Sequence, residues 1–240
     1  IEPRLELREL TRDDDNLPKE DMYQLIVDGD EATVIQAIQQ IKKELESKKK
    51  ELLTVGDLRA CVFANPLFQP LFHIRPGGKV TILPVALNES EYQFVTDLKQ
   101  WYETNKSTLV SKGAELFLLR NMSRGKGVGF FEAGNFHPDF ILWVLVGGKQ
   151  YLTFIEPHGL LHEGPGSDKV LFYQRIKQIE KRLNDPDVIL DSFILSWTRY
   201  PQLRWGSTQA DLEKAHVLFM TDDRDRYLDK LFFQLQVVAA

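Results

Sequence analysis

The sequence predicts an α/β fold: a mixed central sheet flanked by helices over residues 86–240, preceded by a helical connector over residues 1–85. Three observations predict it. Tyr92, Phe94, Val95, Leu98 and Trp101 recur at helical spacing behind a capping residue, Asn88. Two apolar stretches, HPDFILWVLV and KQYLTFIEPHG, meet at Gly147-Gly148 as a hairpin. Around them the order is helix, three strands, helix, strand, which is an α/β layer arrangement.

Residues 1–20 are polar, carry Asp13-Asp14-Asp15 and then Pro18, and read as a linker or lead-in. From Lys19 to about Leu53, apolar residues at Tyr23, Leu25, Ile26, Ile35, Ile38, Ile41 and Leu45 predict two helices that break near Gly29. The second ends in KKELESKKKELL, which reads as a solvated helix face, with phosphate binding as the other reading. Residues 54–85 form a connector: VGDLRACVFANPLFQPLF holds Pro66 and Pro70, and Pro76-Gly77-Gly78 turns into a short strand, KVTILPV. The helix capped by Asn88 runs to about Glu103, and GAELFLLRN follows as a strand. The loop SRGKGVGFFEAGNF leads into the hairpin. A helix then spans Asp168 to Leu183, and Asp185-Pro186 precedes the strand VILDSFILSW. A strand at AHVLFMT and a helix at DRYLDKLFFQL close the chain, with no internal repeat.

Composition narrows the class. Hydrophobic residues are 43% and charged residues 27% of the 240, the balance of a globular protein. No apolar run approaches the roughly 20 residues of a membrane span, so no membrane partner is expected. The single cysteine, Cys61, lies in apolar ACVFANPLF and reads as a buried thiol in a reducing cytoplasm. A net charge of −5 argues against a pure nucleic-acid scaffold but not against an enzyme with a local basic surface. The chain opens IEPRLELREL, charged from its second residue and so unlike a signal peptide; beginning with Ile, it reads as a piece of a longer protein.

The chemistry lies in the hairpin. Asp139 opens one strand in His137-Pro138-Asp139-Phe140, and Glu156 closes the other in Ile155-Glu156-Pro157-His158. A turn centred on Gly147-Gly148 sets residues 139 and 156 opposite each other, on one face, with Cβ atoms about 4.5–5.5 Å apart. Two carboxylates that close repel unless a cation relieves them. Mg2+ suits such a site, since it takes one or two carboxylates plus water and substrate phosphate. An ion held there can orient a phosphate and lower the pKa of an attacking water, which is what phosphodiester hydrolysis needs.

Pro138-Asp139 followed by Glu156-x-His158, within this element order, resembles the PD-(D/E)xK nuclease superfamily and its restriction-endonuclease-like core. The longer stretch LFLLRNMSRGKGVGFFEAGNFHPDFILWVLVGGKQYLTFIEPHGL resembles the C-terminal nuclease domain of helicase-fused, type III-like restriction subunits and DEAD/DEAH-box helicases. The resemblance covers about residues 86–200. It implies a metal-dependent endonuclease acting on DNA with Mg2+ or Mn2+, in bacterial restriction or phage defence. It also implies a helicase or translocase module upstream and other defence-system subunits as partners. By the same resemblance Asp139 and Glu156 bind metal, the Pro157 carbonyl is a backbone ligand, and a glutamate from the preceding helix assists, Glu91 being preferred over Glu89. The pattern departs at His158, where a lysine is usual. Either neutral imidazole acts as the base, a nearby lysine such as Lys126 or Lys149 reaches in, or the site is weak.

The loop from Arg120 to Gly127 carries Arg120, Arg124 and Lys126 among glycines, and phosphate contact or a solvated turn explains them equally well. The loop lacks the full spacing of a nucleotide-binding P-loop. Cations at 169, 175, 177, 181 and 182 form either a phosphate-facing stripe or an exposed helix face, and Gln174 is a candidate to line the site. His137, His158 and His162 fit no closed zinc motif; His73 and His216 read as structural. Two other functions stay open: a catalytically inactive nuclease-fold module for DNA binding or assembly, and a phosphohydrolase of small nucleotides. Metal affinity separates the first from an active nuclease, and a deep enclosed pocket would mark the second.

Overall fold

The computed structural model describes residues 24–27, 35–36, 39–40, 43, 52–55, 57–63, 66–67, 71–75, 80–83, 86–121, 128–130 and 136–237. Its centre is a five-stranded mixed sheet in the order β10-β9-β8-β7-β6. The strands are β6 (Glu115–Arg120), β7 (Phe140–Val146), β8 (Lys149–His158), β9 (Val188–Ser196) and β10 (Val217–Phe219). β7 runs antiparallel to both β6 and β8, while β8, β9 and β10 are parallel to one another. The predicted hairpin is present. Gly147 and Gly148 turn with φ of 60° and 77°, a region that glycine enters without steric cost.

Helix α1 (Glu89–Ser111) starts where predicted and runs past Glu103, because Leu109 returns to the core. Its first turn is a capping box: the Asn88 side chain accepts from Glu91 N at 2.9 Å, and Glu91 Oε2 accepts from Asn88 N at 2.8 Å. Phe94, Val95, Leu98 and Trp101 are buried at the spacing that makes one helix face. They pack with Leu142, Val144, Ile155, Phe193 and Leu195 on one side of the sheet. Helix α2 (Phe172–Leu183) covers the other side, where Phe172, Ile176 and Ile179 meet Ile141, Phe154 and Leu190. Alternate residues of β7 therefore enter different cores, as the period of two requires. β9 is buried along nearly its whole length, as expected of a strand with both faces covered. The last elements are α3 (Gln209–Lys214), β10 and α4 (Tyr227–Gln234), with Trp101 stacked on Phe232 at 3.7 Å between ring centroids.

The helical connector is where expectation and structure part. Before residue 86 the described residues hold five strands, with helix at 35, 36, 39, 40 and 43. β1 (Gln24–Val27) pairs antiparallel with β5 (Val80–Leu83), while β2 (Leu52–Val55), β3 (Leu58–Cys61) and β4 (Leu71–Ile74) form a three-stranded antiparallel sheet. The short strand expected at KVTILPV is β5. Runs such as QLIV and LLTV are too short for periodicity to separate strand from helix, and distant partners decide them. Nor does the apolar core stop at residue 86. Cys61, Phe63, Leu67 and Leu71 share one cluster with Phe94, Leu98 and Leu118, and Leu118 N donates to Pro66 O at 2.7 Å. Cys61 is fully buried, and burial pushes its thiol up to about 12, as befits a structural cysteine. Among the described residues no helix is long and apolar enough to cross a membrane.

Candidate metal-binding site at one end of the mixed sheet

β7 begins and β8 ends at the same edge of the sheet, and there the sequence-predicted residues meet. The register pairs Phe140 with Ile155, so Asp139, just before β7, lies opposite Glu156. The Asp139 amide donates to Glu156 Oε2 at 3.1 Å. Glu91 comes from the first turn of α1, buried, with Oε1 2.9 Å from Arg120 Nη1. Arg120, the last residue of β6, stacks its guanidinium 4.8 Å above the Phe140 ring and brings Nη2 to 4.0 Å from Asp139 Oδ1. Of the two glutamates at the start of α1, Glu91 joins Asp139. Glu89 turns away to His73 Nε2 at 3.1 Å.

Three carboxylates thus share the site with two strong bases. The consequence falls on Asp139, whose carboxyl is pushed up to about 8, first by burial and then by the charges of Glu156 and Glu91, against the pull of Arg120 and Lys169. His158 follows Glu156 by two positions on β8 and so projects from the same face. Burial, and then the charge of Lys169, lower its pKa, while Glu156 and Glu163 oppose them. Near neutral pH the ring is therefore held in the uncharged form, able to accept a proton. Its Nε2 lies 3.9 Å from Glu163 Oε1.

The residue that sequence reasoning placed elsewhere is Lys169. It was grouped with the α2 cations, yet it precedes that helix, and its Nζ reaches Glu156 Oε1 at 2.9 Å. A turn-rich segment between β8 and α2 folds it back, and no periodicity announces such a return. The proposed stand-in Lys149 opens β8 at the hairpin, about 23 Å of extended strand from Glu156, and cannot serve. Lys126 and Arg124 lie outside the described residues. Of the α2 cations, Arg175 pairs with Asp168, and Lys177 with Glu180 and Asp191. Gln174 is exposed and donates to the Tyr173 hydroxyl at 2.8 Å. Arg120 closes β6 rather than lying in the loop, half-buried and paired with Glu91.

Supporting contacts hold the acidic residues in place. The buried Asn121 side chain donates to Pro138 O at 2.7 Å and Val128 O at 2.8 Å, and accepts from Val128 N at 2.9 Å. Its amide N donates to Asp139 O at 2.8 Å. One asparagine thus ties the end of β6 to Pro138 and Asp139 and to Val128. Gly129 packs so closely on His137 that a Cβ there would stand 2.2–2.7 Å from the ring. Ser90 Oγ bonds Pro157 O at 2.9 Å, so the carbonyl expected to face a metal already accepts one hydrogen bond; its second lone pair stays available.

The donor set fits a hard divalent cation. All candidate ligands are oxygens, and the negative surplus that perturbs Asp139 is what such a cation relieves. As arranged here, no group of three or more His, Cys, Asp or Glu among the described residues converges on one point. The basic side chains hold the carboxylates instead. Searches against protein-family models, curated proteins and solved structures returned no significant match to this chain.

Proposed function

We propose that this chain is the nuclease module of a larger protein, hydrolysing DNA phosphodiester bonds with Mg2+ or Mn2+. The observation that carries the reading is the Asp139–Glu156 pair, opposed across β7 and β8 with Glu91 beside it. The mixed five-stranded sheet flanked by helices, in the order α1-β6-β7-β8-α2-β9, supports it, since a mixed sheet between helices is what the resemblance leads one to expect. In this reading Asp139 and Glu156 hold the ion, the Pro157 carbonyl shares in holding it, and Glu91 assists through Asp139. A divalent ion bound there would orient the phosphate and activate water. His158, held neutral, accepts the proton of the attacking water. Arg120 and Lys169 supply permanent positive charge beside the phosphate, the part a lysine at position 158 would otherwise play. An upstream helicase or translocase, defence-system subunits as partners, a role in restriction or phage defence and a cytoplasmic location belong to the same proposal.

One observation favours the second reading, an inactive nuclease-fold module for DNA binding or assembly: the carboxylates are already neutralised by Arg120 and Lys169. Nicking of supercoiled plasmid by the purified chain decides between them. Cleavage that needs Mn2+ or Mg2+ and disappears in Asp139→Ala and Glu156→Ala establishes the nuclease. No cleavage, together with no heat of metal binding, leaves the binding module as the account.

A further inference from the structure

The contacts of Glu156 raise a question of occupancy. Its Oε2 accepts the Asp139 amide and its Oε1 accepts the Lys169 ammonium. The first donor is backbone and stays with the strand. The second is the tip of a flexible side chain, 31% exposed, carried on the turns between β8 and α2 and passing 6.0 Å above the Phe136 ring. Arg120 differs: its guanidinium is packed on Phe140 and only 17% exposed. A divalent cation on Glu156 Oε1 would stand within a few ångströms of the Lys169 charge, in a partly buried setting where like charges repel strongly.

We infer that Lys169 is an exchangeable counter-cation: it occupies Glu156 in the metal-free chain, yields that oxygen to a divalent cation, and turns to the substrate phosphate. This rests on the metal-site reading above and adds to it an order of events within the site. The exchange lets one ammonium serve two states. Without metal it neutralises a buried carboxylate, which would otherwise be costly to hold. With metal and DNA bound, the same group faces a phosphate and offsets its negative charge. No bond is made or broken by the exchange; one ion pair is replaced by another.

Two ligands that compete for one carboxylate are coupled, and the coupling is reciprocal, with typical factors of roughly 5–150-fold. Removing the internal competitor must therefore tighten metal binding, an effect opposite to that of damaging a metal site. The test is calorimetric titration of Mn2+ into the wild-type chain, Lys169→Met and Lys169→Arg, with plasmid nicking at saturating Mn2+. Lys169→Met should bind Mn2+ about tenfold tighter while nicking falls about a hundredfold. In EDTA it should melt lower than wild type, and Mn2+ should raise its Tm by more. Lys169→Arg, which keeps the competing charge, should bind Mn2+ within about threefold of wild type. Unchanged or weaker Mn2+ binding by Lys169→Met overturns the exchange, and so does nicking at the wild-type rate. If wild type itself binds no Mn2+, the metal-site reading falls and takes this inference with it. Wild-type binding without tightening in Lys169→Met removes the exchange alone.

Discussion

Two places in this molecule bury an aspartate of the central sheet beside a lysine and a histidine, and they are built to different ends. On β9, Asp191 Oδ1 meets His216 Nδ1 at 2.8 Å and Oδ2 lies 3.6 Å from Lys177, which also pairs with Glu180 at 3.0 Å. His216 is held between the Tyr173 and Phe193 rings, and Glu180 further accepts Leu190 N at 2.6 Å. Two acids there face two basic groups, and both Asp191 oxygens have a basic neighbour. At the end of β7 and β8, three acids face Arg120 and Lys169, and the excess negative charge with burial drives Asp139 far from an ordinary carboxyl. A balanced cluster ties helix α2 to strand β9. An unbalanced one keeps a standing demand for positive charge, as the proposed cation site requires.

That contrast can be broken most decisively by removing one acid from each place. Glu156→Gln should lower Mn2+-dependent nicking by about a thousandfold or more, the several kcal/mol of stabilisation that a well-held ion supplies. Asp191→Asn should cleave within about threefold of wild type while losing about 1–3 kcal/mol of stability in urea unfolding. If Asp191→Asn stays folded yet cleaves as poorly as Glu156→Gln, the two clusters are not different in kind.

The next effect sharpens how the unbalanced site is held. Asn121→Ala deletes three side-chain hydrogen bonds and leaves Pro138 O and the Val128 groups without a partner. A loss of about 2–4 kcal/mol is expected, with Mn2+ affinity reduced about tenfold, as for residues that orient metal ligands. Urea unfolding and calorimetry would read both, and an unchanged Mn2+ affinity would detach Asn121 from the site. Gly129→Ala should cost less, about 1–3 kcal/mol, because the new Cβ meets the His137 ring and the ring can be pushed aside. Its midpoint in a thermal melt should fall by about 3–8 °C; an unshifted melt would mean that His137 is not held against the loop.

The smallest effect is one of pH. Asp139 has a folded pKa of about 8, above its unfolded value, so between about pH 4 and 8 the folded chain binds more protons there than the unfolded chain. Its contribution to stability therefore declines as pH rises through that window and is level above it. In EDTA, the Tm of wild type should fall further than that of Asp139→Asn between pH 5 and 8. Parallel curves for the two proteins would show that Asp139 carries no excess charge.

Much of the core was legible before any coordinates. Asn88 with Glu91 marks a helix start in any context, because the capping bonds are local. Gly147-Gly148 between apolar strands sets a register, and the register alone puts Asp139 against Glu156. Within the expected helical connector, helix is present at 35, 36, 39, 40 and 43, but Gln24–Val27 and Leu52–Val55 are strands, because four-residue apolar runs take their state from partners far along the chain. Lys169 was misassigned for a related reason: its contact depends on the course of an irregular segment between β8 and α2, which follows no period.

By itself, then, the sequence determined the elements whose causes are local or periodic: the capped α1, the β7–β8 hairpin and its opposed carboxylates, α2 and β9. Tertiary structure alone decided which cations answer those carboxylates, bringing Arg120 to Glu91 and Lys169 to Glu156. The physical reason is range. Caps, turns and alternation act over a few residues, whereas charge acts through space and is settled only when distant segments are packed together.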